Sequence, residues 1–292
     1  AGSRQSWGGL HGSAPSFVLA AAAQNFTGLT LVITENSRQV ERIHAELEFF
    51  LNKTQNPDFT VLEFPDWETL PYDNFSPHQD IISQRLETLH HLPQVKHGIL
   101  ILAVSTLLHR LSPRDYMTAT SLVLKTGQKF SITEMRRTLE SAGYQCVDSV
   151  YEHGEFAVRG AIMDLYPMGS TTPYRIELFD DVIDSLRMFA PETQISSEKV
   201  LEIRLLPGRE YPLHTKAIAD FRQAFRTAFA VDVRKCPLYE DISKGLASAG
   251  IEYYLPLFFP QLVTLFAYLP STVQCLTFGN VVEGAEQFWR EI

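Results

Sequence analysis

The sequence predicts an α/β protein in which a parallel-sheet domain, built from two chain segments, is interrupted by a small β-rich insertion. Three observations predict it. Short apolar runs alternate with amphipathic stretches from about Ser13 to Leu111, strand-like alternation punctuated by Gly and Pro dominates Tyr144 to Leu206, and helix-like text returns after about Glu210. Nearly continuous apolar strands separated by helices mark a parallel sheet covered on both faces, because both sides of such strands are buried. The 292 residues leave room for roughly two domains of about 150 residues each.

Each element follows from its pattern. An Ala-rich helix over Ser13 to Gln24 precedes an apolar strand at Leu29 to Thr34. Val40, Ile43, Leu47, Phe50 and Leu51 then share one helical face, since residues three and four apart stack along a helix, and a strand at Phe59 to Phe64 follows. Ile82, Leu86 and Leu89 line a second amphipathic helix that leads into the strand Ile99 to Val104. In the β-rich part the strand-like segments lie around Phe156 to Tyr166, Tyr174 to Phe179 and Ser185 to Phe189. Ile218, Phe221, Phe225 and Phe229 restore the helical period, and Val273 to Phe278 adds a further apolar run. Periodicity therefore divides the chain into 1–120, the insertion 121–209, and a second α/β segment 210–292.

Composition excludes several classes. With 45% hydrophobic and 20% charged residues the chain can bury sizeable cores and lacks the profile of a disordered protein. Its longest apolar runs, Phe17 to Ala23 and Ile99 to Val104, fall far short of the roughly 20 residues that cross a bilayer. No secretory pattern opens the chain, and Cys146, Cys236 and Cys275 lie far apart without a CxxC, which argues against zinc and fits a reducing, cytoplasmic setting. A net charge of -9 repels phosphate backbones and disfavours independent duplex binding.

Gly9 to Ser16 reads GLHGSAPS ahead of the first helix and can be laid over the phosphate-loop pattern, with Gly9, Gly12 and Ser16 in place and Pro15 at the lysine position. Such a loop works because backbone N–H groups and a helix N-terminus surround the phosphates, while Lys adds a mobile charge and Ser or Thr reaches Mg²⁺. Pro removes the ammonium and one backbone donor. The alternative is a Gly/Ser-rich turn that happens to precede a helix. On either reading the chain is expected not to hydrolyse ATP.

Four features together, the altered phosphate loop, DWETLPYDNFSPHQDIISQRLETL from Asp66 to Leu89, EHGEFAVRGAIMDLYPMG from Glu152 to Gly169 and PYRIELFDDVIDSLRMF from Pro173 to Phe189, resemble the N-terminal part of the bacterial transcription-repair coupling factor family (Mfd). The resemblance covers essentially the whole chain. It implies a UvrB homology module: a degenerate helicase-like α/β domain in two pieces, with an inserted domain that binds the excision-repair protein UvrA. It further implies that RNA polymerase, DNA, ATP and Mg²⁺ are engaged by other parts of full-length members, so that this segment itself uses no cofactor. UvrB carries an aromatic β-hairpin that clamps damaged DNA; here the link from Pro71 to Asp80, with Tyr72 and Phe75, is too short for one.

Alternation places Tyr174, Ile176 and Leu178 on one side of a strand and Arg175, Glu177 and Phe179 on the other. If the first set faces the core, Phe179 stands outward beside a cation, as at interface hot spots, or else covers the edge of a second small core. Arg159 shares a strand face with Ala157, whose small side chain leaves a guanidinium accessible; the alternative is pairing with one of the local carboxylates. By resemblance Arg159, Arg175 and Phe179 fall on positions that contact UvrA, with Arg187 a further addition, and Arg175→Ala or Phe179→Ala is expected to leave the fold intact. From Tyr144 to Leu206 eleven acidic residues face five basic ones, so these arginines suit a partner's carboxylate better than phosphates.

Other constellations lack completing residues. His90, His91, His97 and His109 have no metal-ligand spacing, no GxSxG elbow accompanies the serines, and Asp180, Asp181 and Asp184 read as a solvated turn. Tyr253 to Phe259 reads as core or domain packing. The leading expectation is a noncatalytic UvrA-binding module; the alternatives are a nucleotide-binding helicase or ATPase fragment and a UvrB-like damaged-DNA-binding protein.

Overall fold

The computed structural model describes residues 5–51, 59–71 and 73–291; Tyr72 lies outside them. Helix α1 (Ala14–Asn25) leads into β1 (Leu29–Thr34), α2 (Ser37–Phe50) and β2 (Thr60–Glu63), followed by α3 (Gln79–His91), β3 (Gly98–Ala103) and α4 (Val104–Leu108). Next come α5 (Arg114–Thr120), β4 (Leu122–Lys125) and α6 (Ile132–Ser141). Strands β5 (Gln145–Cys146), β6 (Glu155–Arg159), β7 (Ile162–Leu165), β8 (Tyr174–Phe179), β9 (Val182–Phe189), β10 (Ser196–Val200) and β11 (Glu202–Leu205) run in succession. The chain then forms α7 (Thr215–Ala228), α8 (Pro237–Ser243), β12 (Val273–Phe278) and α9 (Val281–Glu291).

Two compact units result. The first comprises the chain up to Asp66, His91–Leu108 and Leu269–Glu291. Its sheet is parallel throughout, in the order β12, β1, β3, β2. Central strands β1 and β3 are buried at every residue, which explains their unbroken apolar text. Leu19, Ala20 and Ala23 of α1 and Val40, Ile43 and Leu47 of α2 pack with Val32, Ile99 and Ile101 of the strands. Gly98 opens β3 because a Cβ there would stand 2.2 Å from the Thr60 carbonyl oxygen. The expected parallel sheet in two chain segments is present, since β12 pairs with β1 along its full length from Leu29 and Val273 onward.

The second unit comprises Trp67–His90 and His109–Tyr268. It holds a six-stranded sheet in the order β10, β9, β8, β7, β6, β5 and a two-stranded sheet of β11 and β4. It also contains a helical core in which Phe221 and Phe225 of α7 meet Tyr239 and Ile242 of α8 with Ile251, Leu255 and Phe258. That core places the Tyr253 to Phe259 stretch in packing. Compactness thus groups 210–268 with the β-rich part, where periodicity alone had assigned it to the α/β segment. The reason is local: these helices bury their apolar faces on one another, and only β12 and α9 return to the parallel sheet.

A buried ion pair ties this unit together. Arg85 of α3 donates from Nε to Glu210 Oε1 at 2.6 Å and from Nη2 to Oε2 at 3.3 Å, both side chains being almost fully buried. Trp67 Nε1 donates to the same carboxylate at 3.2 Å, and the guanidinium lies 4.9 Å from the Trp67 ring centre. Bidentate geometry and a third donor are what a buried carboxylate needs to offset its desolvation. Nearby Glu252 is buried too and accepts from Ser76 Oγ at 2.9 Å. Burial pushes its carboxyl up, and the charge of Glu210 adds to this while the Ser76 bond opposes it. A folded-state value above the unfolded one means that the native state holds the proton more tightly. Its contribution to stability is therefore full below the ordinary value of 4.5 and is lost as the pH rises through the raised value. Glu252→Gln is expected to gain stability relative to the parent as pH increases across that window. Urea unfolding at a series of pH values checks this.

Candidate functional site

The six-stranded sheet has two unlike faces. Cross-strand partners share a face, so the rows Phe156, Leu165, Tyr174, Met188 and Val158, Met163, Ile176, Leu186 form one side. Phe156, Met163, Leu165 and Ile176 there are fully buried. The other side carries the rows Ala157, Asp164, Arg175, Arg187 and Arg159, Ile162, Glu177, Ser185. Two tight turns close the hairpins on either side of the β7–β8 pair. Gly160, at φ +62°, opens the two-residue turn between β6 and β7, a position that favours glycine. Asp180, at φ +54°, opens the turn between β8 and β9.

Asp164 organises the polar face. Its side chain is wholly buried, and it accepts from Arg175 Nε at 2.7 Å and Nη2 at 3.0 Å and from Arg159 Nη2. Arg175 donates further from Nη1 to the Gln194 carbonyl at 3.2 Å and to Ser196 Oγ at 3.1 Å, and it lies 5.1 Å from the Phe189 ring centre. The Asp164 hydrogen bond holds the Arg175 guanidinium above its usual range. Beside this pair, Glu177 accepts from Ser185 Oγ and faces Arg187 Nε at 3.7 Å. Phe179, at the tip, is 73% exposed.

The four expected contact residues are therefore brought to one face, but not in equivalent roles. Phe179 stands outward as alternation predicted. Arg159 realises both alternatives at once: it is paired, yet its side chain remains 48% exposed. Arg175 corrects the expectation of an outward guanidinium. Its side chain is only 16% exposed and most of its N–H groups are engaged within the chain, because the register sets Asp164 directly opposite it. Asp164 is the residue that sequence reasoning left out, while Glu177 was placed on this face without its contacts to Ser185 and Arg187.

The N-terminal turn is a second place of interest. Gly9 and Gly12 adopt φ of +74° and +60°, and Pro15 sits in the first turn of α1. Ser16 is buried and donates to Glu46 Oε2 at 2.5 Å, while Ser13 donates to Oε1 at 3.2 Å. A carboxylate from α2 thus lies at the N-terminus of α1, where backbone dipoles favour an anion. Among the described residues no cluster of three or more His, Cys, Asp or Glu is placed to hold a metal ion, and no helix is long and apolar enough to cross a membrane. Asp180, Asp181 and Asp184 are exposed around the hairpin turn.

Residues 122–211, which include this whole face, match the UvrB interaction domain. The chain thus carries a UvrB-type interaction module. It is 44% identical to the transcription-repair-coupling factor of Escherichia coli (strain K12) over 99% of its own length and 25% of the relative's. The Haemophilus influenzae protein of the same name is 44% identical over 95% of this chain and 24% of the relative, and that of Bacillus subtilis is 26% identical over 97% and 25%. The chain belongs to the transcription-repair-coupling factors as their N-terminal UvrB homology module, and it spans about a quarter of the length of the relatives it matches.

Removing one side of a buried, hydrogen-bonded ion pair leaves the other charge uncompensated. Arg175→Ala is therefore expected to lower the unfolding free energy by roughly 3 kcal/mol, whereas Phe179→Ala should change it by less than about 0.5 kcal/mol. Chemical unfolding of the two variants checks the difference, and equal stabilities would contradict it.

Proposed function

We propose that this chain is a noncatalytic recruitment module of transcription-coupled repair, which binds UvrA through the polar face of its six-stranded sheet. The observation that carries this reading is the coincidence of the UvrB interaction domain, residues 122–211, with a face that combines an exposed aromatic, two partly exposed arginines and a rigid support. In this reading RNA polymerase and DNA, and the ATP and Mg²⁺ used in moving along DNA, are engaged by parts of the protein beyond these residues.

The division of labour follows from the geometry. Phe179 supplies an apolar group for a pocket on UvrA. Arg159, with one edge spent on Asp164, offers its remaining N–H groups to a carboxylate, and Arg187 extends the charged rim. Arg175 supports rather than contacts: it fixes Asp164, which fixes Arg159. A side chain already immobilised loses little freedom on docking, so the face is pre-organised. The surrounding acidic excess, eleven acids against five bases over 144–206, supports a protein partner over a phosphate backbone.

Support for a noncatalytic role comes from Pro15, which removes the phosphate-binding lysine, and from Glu46, whose charge at the head of α1 repels a phosphate. The glycine-rich turn is, in this reading, a degenerate phosphate loop that keeps its backbone shape and lacks its chemistry.

Truncating a central aromatic at an interface costs about 2 kcal/mol or more, roughly thirtyfold in affinity. Phe179→Ala should weaken UvrA binding by about that factor in calorimetry against purified UvrA. Parental affinity in the well-folded variant would remove Phe179 from the contact.

A further inference from the structure

We propose that Tyr151 and Ile195 form a second apolar anchor of the same surface, set in place by Gln194. This rests on the reading that UvrA docks on the polar face, and it extends that face beyond the four residues considered above.

Gln194 is the unusual residue. It adopts φ +59°, a left-handed backbone that few residues other than glycine occupy. Its side-chain Oε1 is buried without a hydrogen-bond partner. Strain and an unsatisfied acceptor at one position persist only where the surroundings over-determine the conformation, and such defects concentrate at functional surfaces.

Its surroundings do over-determine it. Gln194 Nε2 donates to the Val150 carbonyl at 3.0 Å and to the Pro191 carbonyl at 2.7 Å, its backbone N–H donates to Ala190 at 2.8 Å, and its own carbonyl accepts from Arg175. The residue therefore ties three things together: the loop at Val150, the turn between β9 and β10, and the guanidinium that organises the polar face. Val150 itself is buried against Ala157 and Phe189. The next residue along each tied loop is large, apolar and open to solvent, Tyr151 at 57% and Ile195 at 68% exposure. The backbone of both loops is held at these residues. Glu155 accepts from the backbone N–H groups of Tyr151 and Glu152 at 2.8 and 2.9 Å, and Ala190 N–H donates to the Ile195 carbonyl at 3.1 Å.

Position makes the surface continuous. Arg175 lies near the start of β8 and Phe179 at its end, a separation of about 13 Å along an extended strand. Gln194 bonds to Arg175, so the Tyr151 and Ile195 loops border the charged strip at the end opposite Phe179. A charged strip with an apolar group at either end has the anatomy of a protein interface, where Tyr is among the enriched residues. The partner it fits carries two apolar recesses flanking a carboxylate.

The test compares Tyr151→Ala/Ile195→Ala with Phe179→Ala in calorimetric titrations against purified UvrA, with melting temperatures recorded alongside. The expected result is a loss of affinity of about tenfold or more in the double variant at unchanged melting temperature. A loss confined to the double variant also supports the second anchor and removes Phe179 from the contact. Parental affinity in the double variant with a weakened Phe179→Ala overturns the second anchor and leaves the docking face standing. Parental affinity in both overturns the docking face itself.

Discussion

One buried carboxylate governs the shape of the polar sheet face proposed to meet UvrA. Asp164 on β7 holds two guanidinium groups, Arg159 and Arg175, from the two strands that flank its own. A carboxylate taken out of water is costly unless its lone pairs are met, and here the bidentate Arg175 contact meets most of them. The same contact spends Arg175. What remains for a partner is the open edge of Arg159, the Arg187 and Glu177 pair and the Phe179 ring, each presented from a strand or a tight turn. Rigidity of that kind lowers the entropic cost of docking on the face proposed above.

The parallel-sheet unit has a charged contact of its own, at the head of α1. Gly9 and Gly12 adopt left-handed conformations in the turn ahead of α1. The Glu46 carboxylate of α2 accepts there from Ser13 and Ser16. An anion at a helix N-terminus is favoured by the aligned backbone dipoles.

Much of this was legible in the amino-acid text. Strands β1 and β12 coincide with apolar runs because each is bounded by turn residues, and Phe179 was correctly placed by period-two alternation. The role of Arg175 was not legible, because alternation says which face a side chain occupies and nothing about what the neighbouring strand sets opposite it. That depends on the register of β7 against β8, which sets Asp164 opposite Arg175 across the connection 166–173. Glu46 was missed for a similar reason: it lies thirty residues from Ser16 on a different helix. The grouping of 210–268 with the β-rich part escaped detection because helical periodicity reveals an apolar face without revealing what covers it.

Amide hydrogen exchange of this chain, alone and saturated with UvrA, tests the central claim most directly. The account predicts added protection in β6 to β9 and in the hairpin turn at Asp180, with the Gly9 to Ser16 turn and the parallel sheet unchanged. Protection centred on the α1 N-terminus or the parallel sheet, with none on the polar face, would contradict it.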